Sequence, residues 1–380
     1  MSILIVDDSN FNLLYIRNVL VGAGYNNIQT VSSAHEAFKI LGIADGNVPR
    51  RPAPVALILL DIEMPEMDGI AACKIIKEHP IYSDLPVIFL TGKRGHLKEA
   101  FNAGGTDFIE RGRPEYELLA RVKSALHLKR ETDIRKNREN RLRKELQLAK
   151  HLQKSVLSSP IDDRNLQINA KYIQSEEVSG DMFFWTRIDD QKYGVLLMDV
   201  SGHGLSSALI SMSVRSLLEE VIVRLVEPSL VCEELNKLLL NLFKNSKHTV
   251  YFTAIYLLID YHANLIEYFN AGHPPGVIFT NEGEPFHLEV TTIPIGIKKE
   301  INSAKKSWLI QKPSKVLLYT DGLVEIPGSS IKQGILQLEE HAMAVQNLPN
   351  ARFLDEIEGF VTHNRDDVCI ISVHLKSREP

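Results

Sequence analysis

Apolar residues in this chain fall into short blocks whose period changes along the sequence. Ile3-Leu4-Ile5-Val6 and Ala56-Leu57-Ile58-Leu59-Leu60 are unbroken apolar runs. Each is closed by acid, Asp7-Asp8 after the first and Asp61 after the second. Such runs read as strands buried on both faces, the habit of parallel sheets. Ile28–Val31, Val87–Leu90 and Asp107–Ile109 are further candidate strands. Between them lie helix-like segments such as Asn12–Ala23 and Ala34–Leu41. This alternation predicts a parallel sheet with helices on both faces over residues 1–125. Gly46–Pro54, rich in Pro and Arg, is expected to be a surface loop.

From Glu115 to Ser158 there is neither glycine nor proline. Residues 129–145 carry eight Lys/Arg and four Asp/Glu. A continuous helix is expected. Leu119, Val122 and Leu126 follow a 3–4 spacing, and Leu142, Leu146, Ala149 and Val156 resume one out of phase. A single uninterrupted heptad is therefore not supported. Residues 126–158 read either as a solvated linker helix or as a dimer-forming signalling helix, the second being favoured by its place between two domains.

After residue 159 strands cluster: Gly194–Val200, Thr249–Asp260, Asn264–Asn270, Gly276–Phe279, Lys315–Tyr319 and Val368–Leu375. Helical patterns Leu205–Val226 and Ser229–Phe243 sit together, with others near Ile331–Val345 and Arg352–Thr362. Residues 159–380 are thus expected to form an α+β domain.

Bulk numbers narrow the function classes. The net charge of −5 over 380 residues gives no reason to expect nucleic acid or an anionic membrane as partner. Cys73, Cys232 and Cys369 form no CxxC pair, the profile of a reduced protein without a zinc site. No apolar stretch approaches the roughly 20 residues needed to span a bilayer, and the chain opens on a strand rather than a secretory signal. A cytoplasmic protein is expected.

The acids carry the chemistry. Asp7, Asp8 and Asp61 sit at strand ends of an open α/β sheet, where ligands bind. Three carboxylates on one edge call for a divalent cation such as Mg²⁺. A second set follows: Ser179-Gly180-Asp181, Asp199-Val200-Ser201-Gly202-His203-Gly204, Thr320-Asp321-Gly322 and Arg365-Asp366-Asp367. Carboxylates from distant segments on short loops suit a binuclear metal centre.

The first set resembles the receiver domain of two-component response regulators. The resemblance rests on Asp7-Asp8, on Asp61-Ile62-Glu63-Met64-Pro65 with Asp68-Gly69, on Thr91, and on Ala103-Gly104-Gly105-Thr106-Asp107-Phe108. It implies a flavodoxin-like, doubly wound five-stranded fold. Asp61 would accept a phosphoryl group from a histidine kinase. Asp7, Asp8 and Asp61, with the backbone carbonyl of Glu63, would hold Mg²⁺. Thr91 and Phe108 would move on phosphorylation. The usual lysine after the fifth strand is replaced by Arg111, a planar fork rather than a compact ammonium.

The second set, with Asn270-Ala271-Gly272-His273-Pro274-Pro275 and Pro294-Ile295-Gly296, resembles PP2C-type serine/threonine phosphatases of the bacterial sporulation and general-stress branch. The segment Glu145–Gln153 looks like that branch's lead-in helix. The resemblance implies a β-sandwich flanked by helices and two Mn²⁺ or Mg²⁺ ions. Asp199 would bridge both ions. Asp321 and Asp366 would serve one; Asp181 and the carbonyl of Val200 would serve the other. Phe184 and Cys369 depart from the pattern without removing an acid. The implied function is a receiver-controlled phosphatase acting on a phosphoserine or phosphothreonine protein, an anti-sigma-factor antagonist by analogy, with a homodimer through the linker helix. The alternative is a non-catalytic adaptor that binds a sigma factor or regulator, which would need none of the four acids.

Overall fold

The structure is a computed structural model. It describes residues 2–44, 53–92, 97–175, 177–245, 249–280, 284–301, 304–310, 313–360 and 366–376. Residues 46–52 of the expected loop and Arg365 of the last acidic motif lie outside these. The chain divides into two compact units, Met1–Leu142 and Arg143–Pro380.

In the first unit β1 (Ser2–Val6), α1 (Asn10–Gly22), β2 (Ile28–Val31), α2 (Ala34–Leu41), β3 (Val55–Asp61), α3 (Gly69–Glu78), β4 (Val87–Thr91), α4 (Leu97–Asn102) and β5 (Asp107–Glu110) alternate. The strands form one five-stranded sheet in the order β2-β1-β3-β4-β5, every pair parallel. Every residue of β1, β3 and β4 is buried, which is why these runs show no polar alternation. Leu4, Ile58, Leu60 and Phe89 pack on one sheet face with Phe38, Ala72 and Ile76 of α2 and α3. Ile5, Leu57, Leu59 and Ile88 pack on the other with Leu13, Ile16 and Leu20 of α1. Local signals agree with the fold. Ser33 accepts the Glu36 N–H at the start of α2, and Gly42 closes it at φ 71°.

α5 runs unbroken over Glu115–Ser155. Its first turns are part of the receiver-like unit, since Leu118, Val122 and Ala125 pack against Leu90 and Ile109. The two out-of-phase stripes seen in sequence are explained by this. The first serves the sheet of the N-terminal unit. The second, Leu146, Ala149 and Val156, is half-buried in the C-terminal unit.

The second unit adds β6 (Ile161–Asp162), β7 (Leu166–Ile173), β8 (Met182–Arg187), β9 (Lys192–Val200), α6 (Leu205–Leu225), α7 (Pro228–Leu242), β10 (Phe252–Asp260), β11 (Leu265–Ala271), β12 (Gly276–Thr280), β13 (Phe286–Leu288), β14 (Lys306–Leu309), β15 (Ser314–Tyr319), α8 (Ile331–Val345), α9 (Asn350–Glu358) and β16 (Val368–Leu375). One sheet has the order β14-β11-β10-β9-β8, the other β13-β12-β15-β16-β7-β6. Both are antiparallel throughout. Val195, Leu197, Ile255 and Leu257 of the first sheet meet Val316, Leu318, Ile371 and Val373 of the second in a shared core. The opposite face of the first sheet is covered by α6 and α7 through Leu218, Ile222, Leu235 and Leu239. The opposite face of the second is covered by α8 and α9 through Leu338, Phe353 and Ile357. The result is a β-sandwich flanked by helices, in which the inner strands β9, β10, β15 and β16 are buried along almost their whole length.

Candidate functional site

Each unit carries one acidic site, at strand ends. In the first, β1 and β3 are neighbours in the sheet, so Asp7 and Asp61 emerge side by side. One carboxylate oxygen from each of Asp7, Asp8 and Asp61 falls within 4.8 Å of the others. Asp7 and Asp61 are buried while Asp8 is exposed. Asp7 Oδ1 accepts from Ser9 N–H at 2.9 Å and from Asn12 Nδ2 at 3.0 Å. Arg111 reaches into the site, its Nη2 2.5 Å from Asp61 Oδ2 and 3.2 Å from Asp7 Oδ2. Burial and the Asp7 charge push the Asp61 carboxyl up to about 6 against the pull of Arg111. A carboxylate trio with this much repulsion and one open, exposed member fits a divalent cation.

The loop below Asp61 is built by Gly69. A Cβ there would lie 2.0 Å from the Asp61 carbonyl oxygen, so any larger residue displaces the acid. Thr91 is buried at the end of β4, and its carbonyl accepts the Arg111 N–H at 2.8 Å. Phe108 packs edge-on to Phe101, 6.1 Å between centroids, and lies under the Arg121 guanidinium. Glu63 is exposed just past Asp61.

In the second unit a cleft of about 670 Å³ is lined by Gly180, Asp199, Val200, His203, Asp321, Asp366 and Asp367, among others. Asp199 comes from β9, Asp321 from the turn after β15, and Asp366 from the segment entering β16. Gly322 is what lets two of these segments touch, since a Cβ there would lie 2.2 Å from the Asp367 carbonyl oxygen. Burial, with Asp321 and Asp366 beside it, pushes the Asp199 carboxyl up to about 7. Burial and Asp366 push Asp321 in the same direction. Such mutual repulsion, with no lysine or arginine among the described residues that line the cleft, fits divalent cations.

Asp181 is not in the cleft wall. It is buried behind it, where burial and the Asp199 charge raise its carboxyl well above the usual range. Thr320 donates to its Oδ2 at 2.7 Å, and Ser179 Oγ accepts its backbone N–H at 3.0 Å. His203 lines the cleft, whereas His273 is 1% exposed and pairs with Thr253 at 2.7 Å. Burial pushes His273 down to about 3, so it stands there as a neutral, structural ring. Sequence reasoning carried Thr320 and Asp367 only as members of the motifs, without a role, and missed Ser175. Asp367 is buried and accepts from Ser175 N–H and Oγ at 2.8 and 2.9 Å, tying the last motif to the segment after β7. The doubled Asp366-Asp367 was the available signal.

Comparisons with known proteins agree with this division. The response regulator receiver domain family matches residues 3–123, and the Stage II sporulation protein E family matches residues 189–376. Phosphoserine phosphatase RsbP of Bacillus subtilis is 35% identical over 244 residues, 62% of this chain and 58% of RsbP. Phosphoserine phosphatase RsbU of the same organism is 22% identical over 246 residues, 62% of this chain and 71% of RsbU. The chain thus spans little more than half the length of RsbP. Among solved structures, the SiaA-PP2C domain of Pseudomonas aeruginosa has a TM-score of 0.52 at 18% identity, over 63% of this chain and 98% of that one, a likeness of fold. Residues 3–123 are therefore a response-regulator receiver domain, and residues 189–376 are a domain of the PP2C-type phosphatase family that includes Stage II sporulation protein E, homologous to RsbP and RsbU.

Proposed function

We propose that this chain is a metal-dependent protein serine/threonine phosphatase controlled by phosphorylation of Asp61. The observation that carries the reading is the convergence of Asp199, Asp321 and Asp366 on one cleft, with Asp181 anchored behind them. In this reading Asp199 would serve both of two Mn²⁺ or Mg²⁺ ions, Asp321 and Asp366 would serve one of them, and Asp181 with the Val200 carbonyl would serve the other. Divalent cations held there would neutralise phosphoryl oxygens and acidify a water for attack on phosphorus. The chain's own part is to fix the acids on rigid strand ends. A cysteine nucleophile is disfavoured. All three thiols are buried, and burial pushes Cys73 up to about 11 and Cys232 up to about 12.

In the receiver, Asp7, Asp8, Asp61 and the Glu63 carbonyl would hold Mg²⁺. Asp61 would take phosphoryl from a histidine kinase, with Arg111 released from its present ion pair to meet the new oxygens. Thr91 and Phe108 would move with it. Residues 1–125, 126–158 and 159–380 then act as input, connector and output. Moving the output from mostly off to mostly on needs about 3–5.5 kcal/mol of differential stabilisation. Homology to the phosphoserine phosphatases RsbP and RsbU supports a phosphoserine protein as substrate, and the resemblance to the sporulation and general-stress branch makes an anti-sigma-factor antagonist our choice among such proteins. The exposed Leu142, Leu148 and Leu152 of α5 support a homodimer through that helix.

The test is phosphate release from a phosphoserine peptide with Mn²⁺. Wild type should turn over and lose activity in EDTA. Asp199→Asn should stay folded and lose at least about 100-fold in kcat, well within the range a metal-site acid commands. Asp199→Asn with wild-type activity would remove the binuclear assignment.

A further inference from the structure

Gln153 lies in the last turn of α5, where Leu152, Lys154 and Ser155 are exposed, yet it is only 1% exposed itself. Its carboxamide is used on both sides. Oε1 accepts from the Ser179 N–H at 3.1 Å and from Gln174 Nε2 at 3.0 Å. Nε2 donates to the Ser179 carbonyl at 2.6 Å and to Ser211 Oγ at 3.4 Å. The side chain therefore grips both backbone polar groups of one residue, as a neighbouring strand would. Burying an amide is unfavourable unless its partners are in place, so the arrangement tolerates little displacement.

Ser179 is two residues from Asp181, and its hydroxyl accepts the Asp181 N–H at 3.0 Å. Gln153 thus fixes Ser179, and Ser179 fixes Asp181. The strand on the far side of Asp181 is held by the same stretch of chain. Ser158 Oγ bonds the Trp185 N–H at 2.9 Å and its carbonyl at 3.0 Å, and Trp185 Nε1 donates to the Ser159 carbonyl at 2.9 Å. Arg215 of α6 donates to the Val156 carbonyl at 2.9 Å. The exit of α5 therefore brackets Asp181 from both directions.

We propose that Gln153 is a positioning residue that sets the divalent-cation affinity of the cleft by fixing Asp181 through Ser179. The proposal rests on the cation reading of the cleft given above. Sliding α5 by one residue moves the carboxamide by about 1.5 Å and turns it by about 100°, which breaks both bonds to Ser179. Asp181 then keeps its Thr320 contact but loses the backbone frame that aims it. α5 begins at Glu115 in the first unit, so Gln153 stands on a helix whose first turns belong to the receiver.

The experiment uses the full chain and two substitutions. Gln153→Met keeps the volume and removes every hydrogen bond. Gln153→Glu keeps the acceptor and sets an acceptor against the Ser179 carbonyl. Lys154→Met, exposed on the next position, is the control. Mn²⁺ binding at the cleft is read by titration calorimetry and by the metal-induced rise in melting temperature, with every chain, the wild-type reference included, carrying Asp8→Ala to break the receiver's own cation trio, and with circular dichroism in EDTA to verify folding. Both Gln153 variants should bind Mn²⁺ roughly 10–100-fold more weakly, the range for residues that orient metal ligands. At saturating Mn²⁺ their kcat should return towards wild type, and the control should match wild type throughout. Wild-type Mn²⁺ affinity in a folded Gln153 variant would overturn this proposal alone. Absence of Mn²⁺ binding in the wild type would overturn the cation reading and this proposal with it.

Discussion

Replacing Arg111 with alanine leaves two buried carboxylates of the receiver without the cation that now faces them. Asp61 and Asp7 are 1% and 0% exposed, and Arg111 Nη2 lies 2.5 and 3.2 Å from their oxygens. Removing one partner of a fully buried ion pair costs about 3–5 kcal/mol. The Arg111 side chain is 40% exposed, so solvent screening reduces that to about 1–3 kcal/mol. The assay is native-state hydrogen exchange of the β1 and β3 amides in the full chain, in EDTA, which reads local opening free energy. Arg111→Ala should lower that free energy by about 1–3 kcal/mol. Excess Mg²⁺ should then restore most of the loss, since a ligand at 100 times its Kd adds about 2.7 kcal/mol. The wild type, whose guanidinium already neutralises the site, should gain less. Identical protection of variant and wild type in EDTA would refute the reasoning. So would an equal gain from Mg²⁺ in both.

Three other outcomes follow from the geometry. Gly322→Ala drives a Cβ to 2.2 Å from the Asp367 carbonyl; it should cost about 1–3 kcal/mol in urea unfolding and cut Mn²⁺-dependent kcat/KM at least tenfold, and wild-type values of both would contradict the packing account. Lys315 donates to the carbonyls of Gln346 and Leu348 at 2.7 Å each, and burial pushes its ammonium from 10.5 down to about 8. The unfolded chain then binds the extra proton, so stability is lowest below pH 8 and rises by about 1–3 kcal/mol towards pH 10.5. Lys315→Met should flatten that rise in urea melts, and an unchanged slope would count against it. Light scattering of the full chain should give twice the monomer mass with beryllofluoride present, and a monomer under all conditions would remove α5 as a dimer helix.

How much of this was legible depends on what each residue does with its neighbours. β1, β3, β9 and β16 were visible because both faces of each are buried, which leaves apolar runs that adjoin the acids, before them in β1, β3 and β9 and after them in β16. β7 was not read as a strand. Leu166 and Ile168 are buried, but most of the rest is half-exposed and mixed in polarity, so it shows neither a run nor a clean alternation. β8 was hidden because Met182–Arg187 follows Asp181 directly and reads as part of the motif. The four site acids could be named from spacing and resemblance, but their depths could not. Asp181 is the deeper of two neighbouring acids, 3% exposed and held by the Thr320 hydroxyl, while Asp199 lines the cleft beside it, and this difference depends on the meeting of β8, β9 and β15. Gln153 occupies the position between Ala149 and Val156 in an apolar stripe. A polar side chain there was the signal, and its partners at Ser179 and Ser211 are distant in sequence.

The central claim is that the state of Asp61 sets the activity of the acid cleft in the second unit. It is tested most directly by phosphate release from a phosphoserine protein with Mn²⁺, measured with and without beryllofluoride, in wild type and in Asp61→Ala. The account predicts metal-dependent turnover whose rate changes with beryllofluoride in the wild type and is indifferent to it in Asp61→Ala. A rate in the wild type that ignores beryllofluoride, or a response that survives in Asp61→Ala, would contradict it.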